Sequence, residues 1–391
     1  MRNGKTVQSY LSYSMIYFFY FFALGIFSSM LSVYLAANHK SSTEISFIVS
    51  GMGIFCMISG PVFGVLYDRT GWRKKLSLIL LAASAVSGAL FAFTQNTVLL
   101  FLLNGLAMAF IYGVNPICEQ IASASPYRYG VLRFWGAIGY AVANQLAGVL
   151  LEGVQPALIF ALFAVTALLT GAAFHWTGVK DTAPSAEKRK AKERSTKPTL
   201  PLILFAIFCF FFSGATTASG TYVPVLLEGL LGGASLAGTM LFIATLMEIP
   251  IIFLSNRFMD RLNGRQLLAI NTALLLIQYA AYSYVGNVAL LCVIMIVTKS
   301  VTTMLFIMVS LKIVLTLTGG KYATTVLSVI ATVKSLGGVV LTNLAGGIID
   351  RWDLHSVFPA FLGVAAALLA FSFFIRIPDD EKTYFAGEAE T

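Results

Sequence analysis

Five ionisable side chains, Glu119, Arg133, Glu248, Lys299 and Lys334, fall inside stretches of chain that are otherwise apolar. Each would cost about 2.5–3.5 kcal/mol at the centre of a membrane helix, so each needs a partner or a watery cavity. One such residue reads as an ion pair bracing two helices. Five, spread over five segments, read as a central polar cavity. The chemistry available there is recognition and proton exchange. Arginine presents a rigid fork of donors and a carboxylate accepts from hydroxyls. A buried carboxyl near a lysine is pulled in opposite directions by desolvation and by the cation, the combination a switchable proton site uses.

A second candidate is the charged turn Gly64-Val-Leu-Tyr-Asp68-Arg69-Thr-Gly71-Trp-Arg73-Lys74-Lys75, set between two apolar runs. Gly64 is placed where helices could approach closely, and Gly71 where a tight turn needs φ > 0. An acid beside an arginine at a helix end can lock two helices together in one state and release them in another. The simpler alternative is a basic loop that only orients the chain. Asp260-Arg261-Leu-Asn263-Gly-Arg265 echoes the turn 192 positions on (260 − 68), with Asn263 in place of the turn glycine. Asn tolerates φ > 0. Leu146-Ala147-Gly148 with Glu152 is echoed by Leu344-Ala345-Gly346 with Asp350 at an offset of 198 (350 − 152).

The elements that must hold these residues are membrane helices. Of 391 residues, 58% are hydrophobic and 11% charged, and the mean hydropathy is +0.83. A soluble protein carries about a quarter charged residues. A helix needs ~20 apolar residues to cross the hydrocarbon core, and the chain supplies many such runs. The first, 10–37, is too long for a signal-peptide core and should remain as a helix. Its Tyr10, Tyr13, Tyr17 and Tyr20 lie on one stripe, for which packing and an interfacial belt compete with a binding face. Ser41-Ser-Thr-Glu44 reads as a capping box opening the second helix. Further helices are expected near 76–94, 97–122, 130–152 and 155–177, then 199–227, 233–256, 265–285, 288–317, 321–349 and 354–377. That makes an all-α integral membrane protein of twelve helices: a six-helix bundle over 1–177, a basic linker over 178–198 and a second six-helix bundle over 199–391.

Of the 26 cations, 21 belong to the two ends, the linker and the loops on one side, while only Lys40 and Arg351 lie on the other. The positive-inside rule then puts both termini and the linker in the cytoplasm. The net charge of +9 is thus a matter of topology and lipid contact, and no nucleic-acid partner is expected. The four cysteines sit in apolar runs and the three histidines are scattered, so no disulfide, metal site or cofactor is expected. A membrane enzyme would need a nucleophile–base pair or mid-helix metal ligands, and a sensor would need a soluble output domain. Neither pattern is seen.

With those residues in view, the chain resembles the major facilitator superfamily, whose cytoplasmic gate motif Gly-x-x-x-Asp-Arg-x-Gly-x-Arg-Arg/Lys fits residues 64–74 at every position. It resembles in particular the lactose permease-like branch. Tyr17-Phe-Phe-Tyr-Phe-Phe22, Gly60-Pro-Val-Phe-Gly64, Pro116-Ile-Cys-Glu119 and Gly130-Val-Leu-Arg133-Phe-Trp-Gly136-Ala-Ile-Gly139-Tyr140 carry that likeness. The resemblance implies that Glu119 and Arg133 grip solute hydroxyls, that Tyr140 stacks on a sugar, and that Tyr17 and Lys334 share the binding site. It gives gate roles to Gly64, Asp68, Arg69, Gly71, Arg73, Asp260 and Arg261. Glu248 is similar to the family's eighth-helix glutamate, while Ile249-Pro250 after it resembles the sugar-efflux branch. Lys299 and Lys334 match lysines of the tenth and eleventh helices.

The chain departs from the permease pattern where the tenth-helix histidine and glutamate would stand, at Thr302 and Leu305, and at Ile251. Ser213 to Gly220 replaces the seventh-helix aspartates. Glu248 and Glu119 are then the acids left to carry a proton, and Glu248, with Lys299, is assigned to coupling. Two acids against three bases leave +1, so either one lysine is neutral or the solute is an anion. The expected protein is a monomeric secondary transporter in the plasma (inner) membrane. It would use no cofactor beyond the proton gradient and take up a small organic solute such as a sugar or glycoside. Organic-anion or nucleoside uptake, and efflux by proton antiport, are the alternatives.

Overall fold

The computed structural model of the protein describes residues 2–123, 125, 127, 129–153, 155–176, 200–258, 261–318, 323–375 and 377. The expected linker 178–198 and Asp260 lie outside them, as does the side chain of Asp68. The described chain is helical: α1 (Arg2–Ser28), α2 (Leu31–Ala37), α3 (Ser42–Thr70), α4 (Arg73–Phe91), α5 (Thr97–Ser123), α6 (Tyr129–Glu152) and α7 (Leu158–Trp176), followed by α8 (Leu200–Leu231), α9 (Ala234–Phe258), α10 (Gly264–Tyr284), α11 (Val288–Thr318), α12 (Ala323–Arg351) and α13 (Val357–Ser372). Among the described residues ten spans are long and apolar enough to cross a bilayer, α1 and α2 forming one of them over Tyr10–Ala37. Two shorter apolar helices, Leu158–Phe174 and Val357–Ser372, bring the number to the twelve expected. Large apolar side chains such as Ile58, Ile79, Val86 and Leu168 stand exposed on the helices. Hydrocarbon solvates such faces and water does not.

The first span is not one continuous helix. The Ser28 hydroxyl bonds back to the Leu24 carbonyl at 2.6 Å, a contact that bends helices, and Met30 leaves helical geometry at φ −119°, ψ 16°. The capping box at Ser41 forms as expected: Glu44 N donates to Ser41 Oγ at 3.2 Å and Ser41 N donates to a Glu44 carboxylate oxygen at 3.1 Å. Lys40 and Thr97 also bond that carboxylate, tying the start of α3 to the start of α5.

Two compact units form. The first joins Met1–Ser195 to Pro224–Phe242, and the second joins Thr196–Val223 to Ile243–Thr391. In the first, α1 packs on α6 and α7, α3 on α5, and α4 on α5 and α7. Interlocked rings of Phe27, Tyr34, Phe91, Phe160 and Phe163 fill its outer core. Glu152, closing α6, accepts from Ser235 N at 2.9 Å within this unit. In the second, α10 packs on α11 and α13, and α12 touches both α11 and α13.

Close helix crossings depend on glycines. A Cβ on Gly136 would come within 2.6 Å of the Phe21 ring, so α1 and α6 meet with a ring resting on bare backbone. Gly64, by contrast, makes no close approach: nothing lies within 4 Å of where its Cβ would be. That stretch of α3 turns Phe63 onto Phe110 of α5 and presents Val62, Val65 and Leu66 outward.

Candidate functional site

The first unit gathers Tyr17, Glu119, Arg133 and Tyr140. The Tyr17 hydroxyl donates to Glu119 Oε2 at 3.2 Å and lies 3.4 Å from the Cys118 carbonyl, so α1 orients the one acid of α5. Tyr17 is 2% exposed, its hydroxyl turned to Glu119. The remaining tyrosines of the stripe meet backbone and rings. Tyr20 bonds the Ile111 carbonyl at 3.2 Å, while Tyr10 and Tyr13 pack edge-on against Tyr127. Trp135 adds a bond to the Tyr10 hydroxyl at 2.9 Å.

Arg133 rests on a ring. Its guanidinium carbon lies 4.2 Å above the centre of Phe21, which is in turn stacked near Tyr17. Its Nη1 is buried with no hydrogen-bond partner. A planar cation on an aromatic face keeps its in-plane N–H groups available, so Nη1 is oriented yet unsatisfied. Gly136, one turn on, is what lets Phe21 occupy that shelf. Tyr140 is half-buried and follows Arg133 by seven residues, on the same helix face. The family-like spacing Arg133, Gly136, Gly139, Tyr140 therefore has a local cause: two polar residues on one face, separated by glycines that admit α1.

The second unit holds the other three charges. Lys334 Nζ lies 4.1 Å over the Phe306 ring and donates to Ser310 Oγ at 2.8 Å, both on α11. Phe306 is stacked at 4.0 Å on Phe212 of α8. Lys299 feels the carboxylate of Glu248 and lines a cavity of about 50 Å³ among α8, α10 and α11. That volume admits water, which needs about 10–15 Å³. Ser219, Gln278, Tyr282 and Thr302 share the cavity. Gln278 Nε2 donates to the Tyr282 hydroxyl at 2.9 Å, leaving Gln278 Oε1 and the Thr302 hydroxyl without protein partners. Thr302 thus supplies a polar lining, whereas Leu305, 3% exposed, is core. Gln278 and Tyr282 were not among the residues expected from sequence. A glutamine four residues before a tyrosine within an apolar helix was the available signal.

At the charged turn, Gly71 closes α3 at φ 66° with its N–H on the Tyr67 carbonyl at 2.9 Å, as the expected tight turn requires. Arg69 is exposed and Arg73 half-buried. The echoing turn is built differently. Asn263 does not take φ > 0: it lies at φ −66°, ψ 151° and caps α10, its N–H donating to Gln266 Oε1 at 3.1 Å. A glutamine three residues on makes a capping box the better-bonded choice. Lys312, also not singled out from sequence, is 4% exposed and reaches from α11 to the Leu262 carbonyl at 2.9 Å, tethering this turn. Arg261 beside it is exposed.

Known proteins are similar to this chain. The maltose permease of Geobacillus stearothermophilus is 27% identical over 373 residues, covering 91% of this chain and 93% of that one. The crystal structure of the nucleoside transporter NupG superposes with a TM-score of 0.75 at 15% identity, covering 93% of this chain and 98% of that one. The D-xylose-proton symporter superposes at 0.70 with 13% identity, covering 96% and 98%. At those identities the two structures speak for the fold alone. The MFS_1 like family matches residues 10–363, and over that span of membrane helices the chain belongs to it, a solute transporter of the major facilitator kind.

Proposed function

We propose that the protein is a proton-coupled carrier of a sugar or glycoside, working as a monomer by alternating access in the cell membrane. Both termini face the cytoplasm in this reading. The observation that carries it is the half-site in the first unit, where Tyr17 orients Glu119 and Phe21 supports an Arg133 whose Nη1 has no protein partner. An oriented acceptor and an oriented donor fork are what polyhydroxylated solutes need. Tyr140 adds an aromatic face for the sugar's C–H groups. The likeness to a maltose permease over nearly the whole chain supports the same solute class.

Coupling is assigned to Glu248 with Lys299. The water-sized cavity around Lys299 gives a proton a route that an apolar core would deny. The gate is assigned to Gly64, Asp68, Arg69, Gly71 and Arg73, with Asp260 and Arg261 in the second half. No cofactor takes part beyond the proton gradient.

The test is uptake by liposomes holding the purified protein, with an inward proton gradient imposed and maltose, other glycosides, nucleosides and aromatic acids offered in turn. Gradient-driven accumulation of a glycoside, abolished by collapsing the gradient, is the expected result. Accumulation of nucleosides alone, or gradient-independent flux, would displace this reading.

A further inference from the structure

Lys334 sits in the twelfth position of the 29-residue helix α12, well inside a membrane span. Its ammonium turns inward onto α11, over Phe306 and against Ser310. The Ser310 hydroxyl is itself committed as a donor to the Phe306 carbonyl at 2.6 Å, so it meets Lys334 as an acceptor. One of three ammonium N–H groups is thereby used. An aromatic face steadies the charge but accepts no second full hydrogen bond.

The helices of the second unit offer no counter-ion for it. α10, α11, α13 and the part of α8 in this unit contain no Asp or Glu, and α12 has only Asp350. Asp350 is sixteen residues along the helix, roughly 24 Å away at 1.5 Å per residue. The remaining acid, Glu248, acts on Lys299. Among the described residues the ion pair that forms is Lys40–Glu44, far from Lys334 in sequence. Of the three mid-membrane cations, Lys299 feels Glu248 and Arg133 rests on Phe21, while Lys334 meets a ring and a hydroxyl.

From this geometry we infer that the transported solute carries a carboxylate, as a sugar acid or acidic glycoside does, and that Lys334 is the group that binds it. The inference rests on the sugar reading above and narrows it. A buried ammonium with two donors unspent gains charge-assisted bonds from a carboxylate that a neutral hydroxyl gives less strongly. A buried cation with no acid beside it is costly, and a carboxylate on the solute would compensate it.

Matched pairs decide it: maltose against maltobionate, and methyl glucoside against methyl glucuronide, titrated calorimetrically into the purified full-length protein. The acid of each pair should bind at least tenfold tighter. Lys334→Arg should keep that preference, and Lys334→Gln should erase it. Should Lys334→Gln not fold, the wild-type pairs alone decide. Neutral sugars binding as well as their acids would overturn the inference and leave the sugar reading standing. Binding of aromatic carboxylates but of no sugar, lost in Lys334→Gln, would keep the anion site and overturn the sugar reading. Absence of binding by every acid would overturn the inference outright.

Discussion

Gly139 of α6 lies so close to Phe18 of α1 that a Cβ there would stand 2.3 Å from the Phe18 carbonyl oxygen. The same crossing recurs in the second unit between Gly337 and Phe210, at 2.1 Å. The offsets, 198 (337 − 139) and 192 (210 − 18), are those of the sequence echoes. The repeat therefore extends from motifs to backbone contacts that set how α1 meets α6 and α8 meets α12.

Gly139→Ala and Gly337→Ala should each destabilise the protein, by about 1–3 kcal/mol, since a backbone must move to admit the methyl. Gly64→Ala, facing open space, should be neutral or slightly stabilising through helix propensity. Thermal unfolding of the three purified variants compares them directly. Equal midpoints for Gly139→Ala and wild type would mean that the crossing has slack.

Tyr17→Phe removes the donor to Glu119 without emptying the core. Hydrogen bonds to charged groups contribute about 1.5–3 kcal/mol, so solute affinity should fall about tenfold or more. Tyr20→Phe, which loses only a bond to the Ile111 carbonyl, should leave affinity unchanged and lower stability slightly. Titration of one ligand into both variants separates positioning from packing.

Arg133→Lys keeps a cation over Phe21 but loses the planar fork. Folding should survive and solute binding should not. Retained affinity in this variant would move the recognition site off α6.

Glu248→Gln mimics a permanently protonated carboxyl. It should still exchange labelled solute across a vesicle membrane, because exchange needs no net proton release, yet fail to accumulate it against a gradient. Glu119→Gln should weaken binding itself. Full accumulation by the Glu248 variant would place the proton elsewhere.

A cysteine replacing exposed Gln95, between α4 and α5, should react with an impermeant reagent from outside the cell. One at Ser185 should react only from the cytoplasmic side. Labelling of Gln95→Cys from the cytoplasm would invert the topology and detach the charged turn at Asp68 from its gate role.

Much of this protein was legible in sequence because its causes are local. Apolar length sets the spans, cation distribution sets the expected sidedness, Ser41 and Glu44 announce a capping box, and Gly71 marks a turn at φ > 0. Each depends on a few neighbouring residues and on the solvent around them. The break after Ser28, the cap at Asn263, and the cavity of Gln278, Tyr282, Lys299 and Thr302 followed from competition between bonds that sequence alone did not rank. Tertiary structure alone decided that Tyr17 would meet Glu119, 102 residues away, and that Arg133 would rest on Phe21 and Lys334 on Phe306. The helix crossings at Gly136, Gly139 and Gly337 choose those pairs. A side chain's period along its own helix states which face it occupies, but only the angle and closeness of the crossing state what that face will touch.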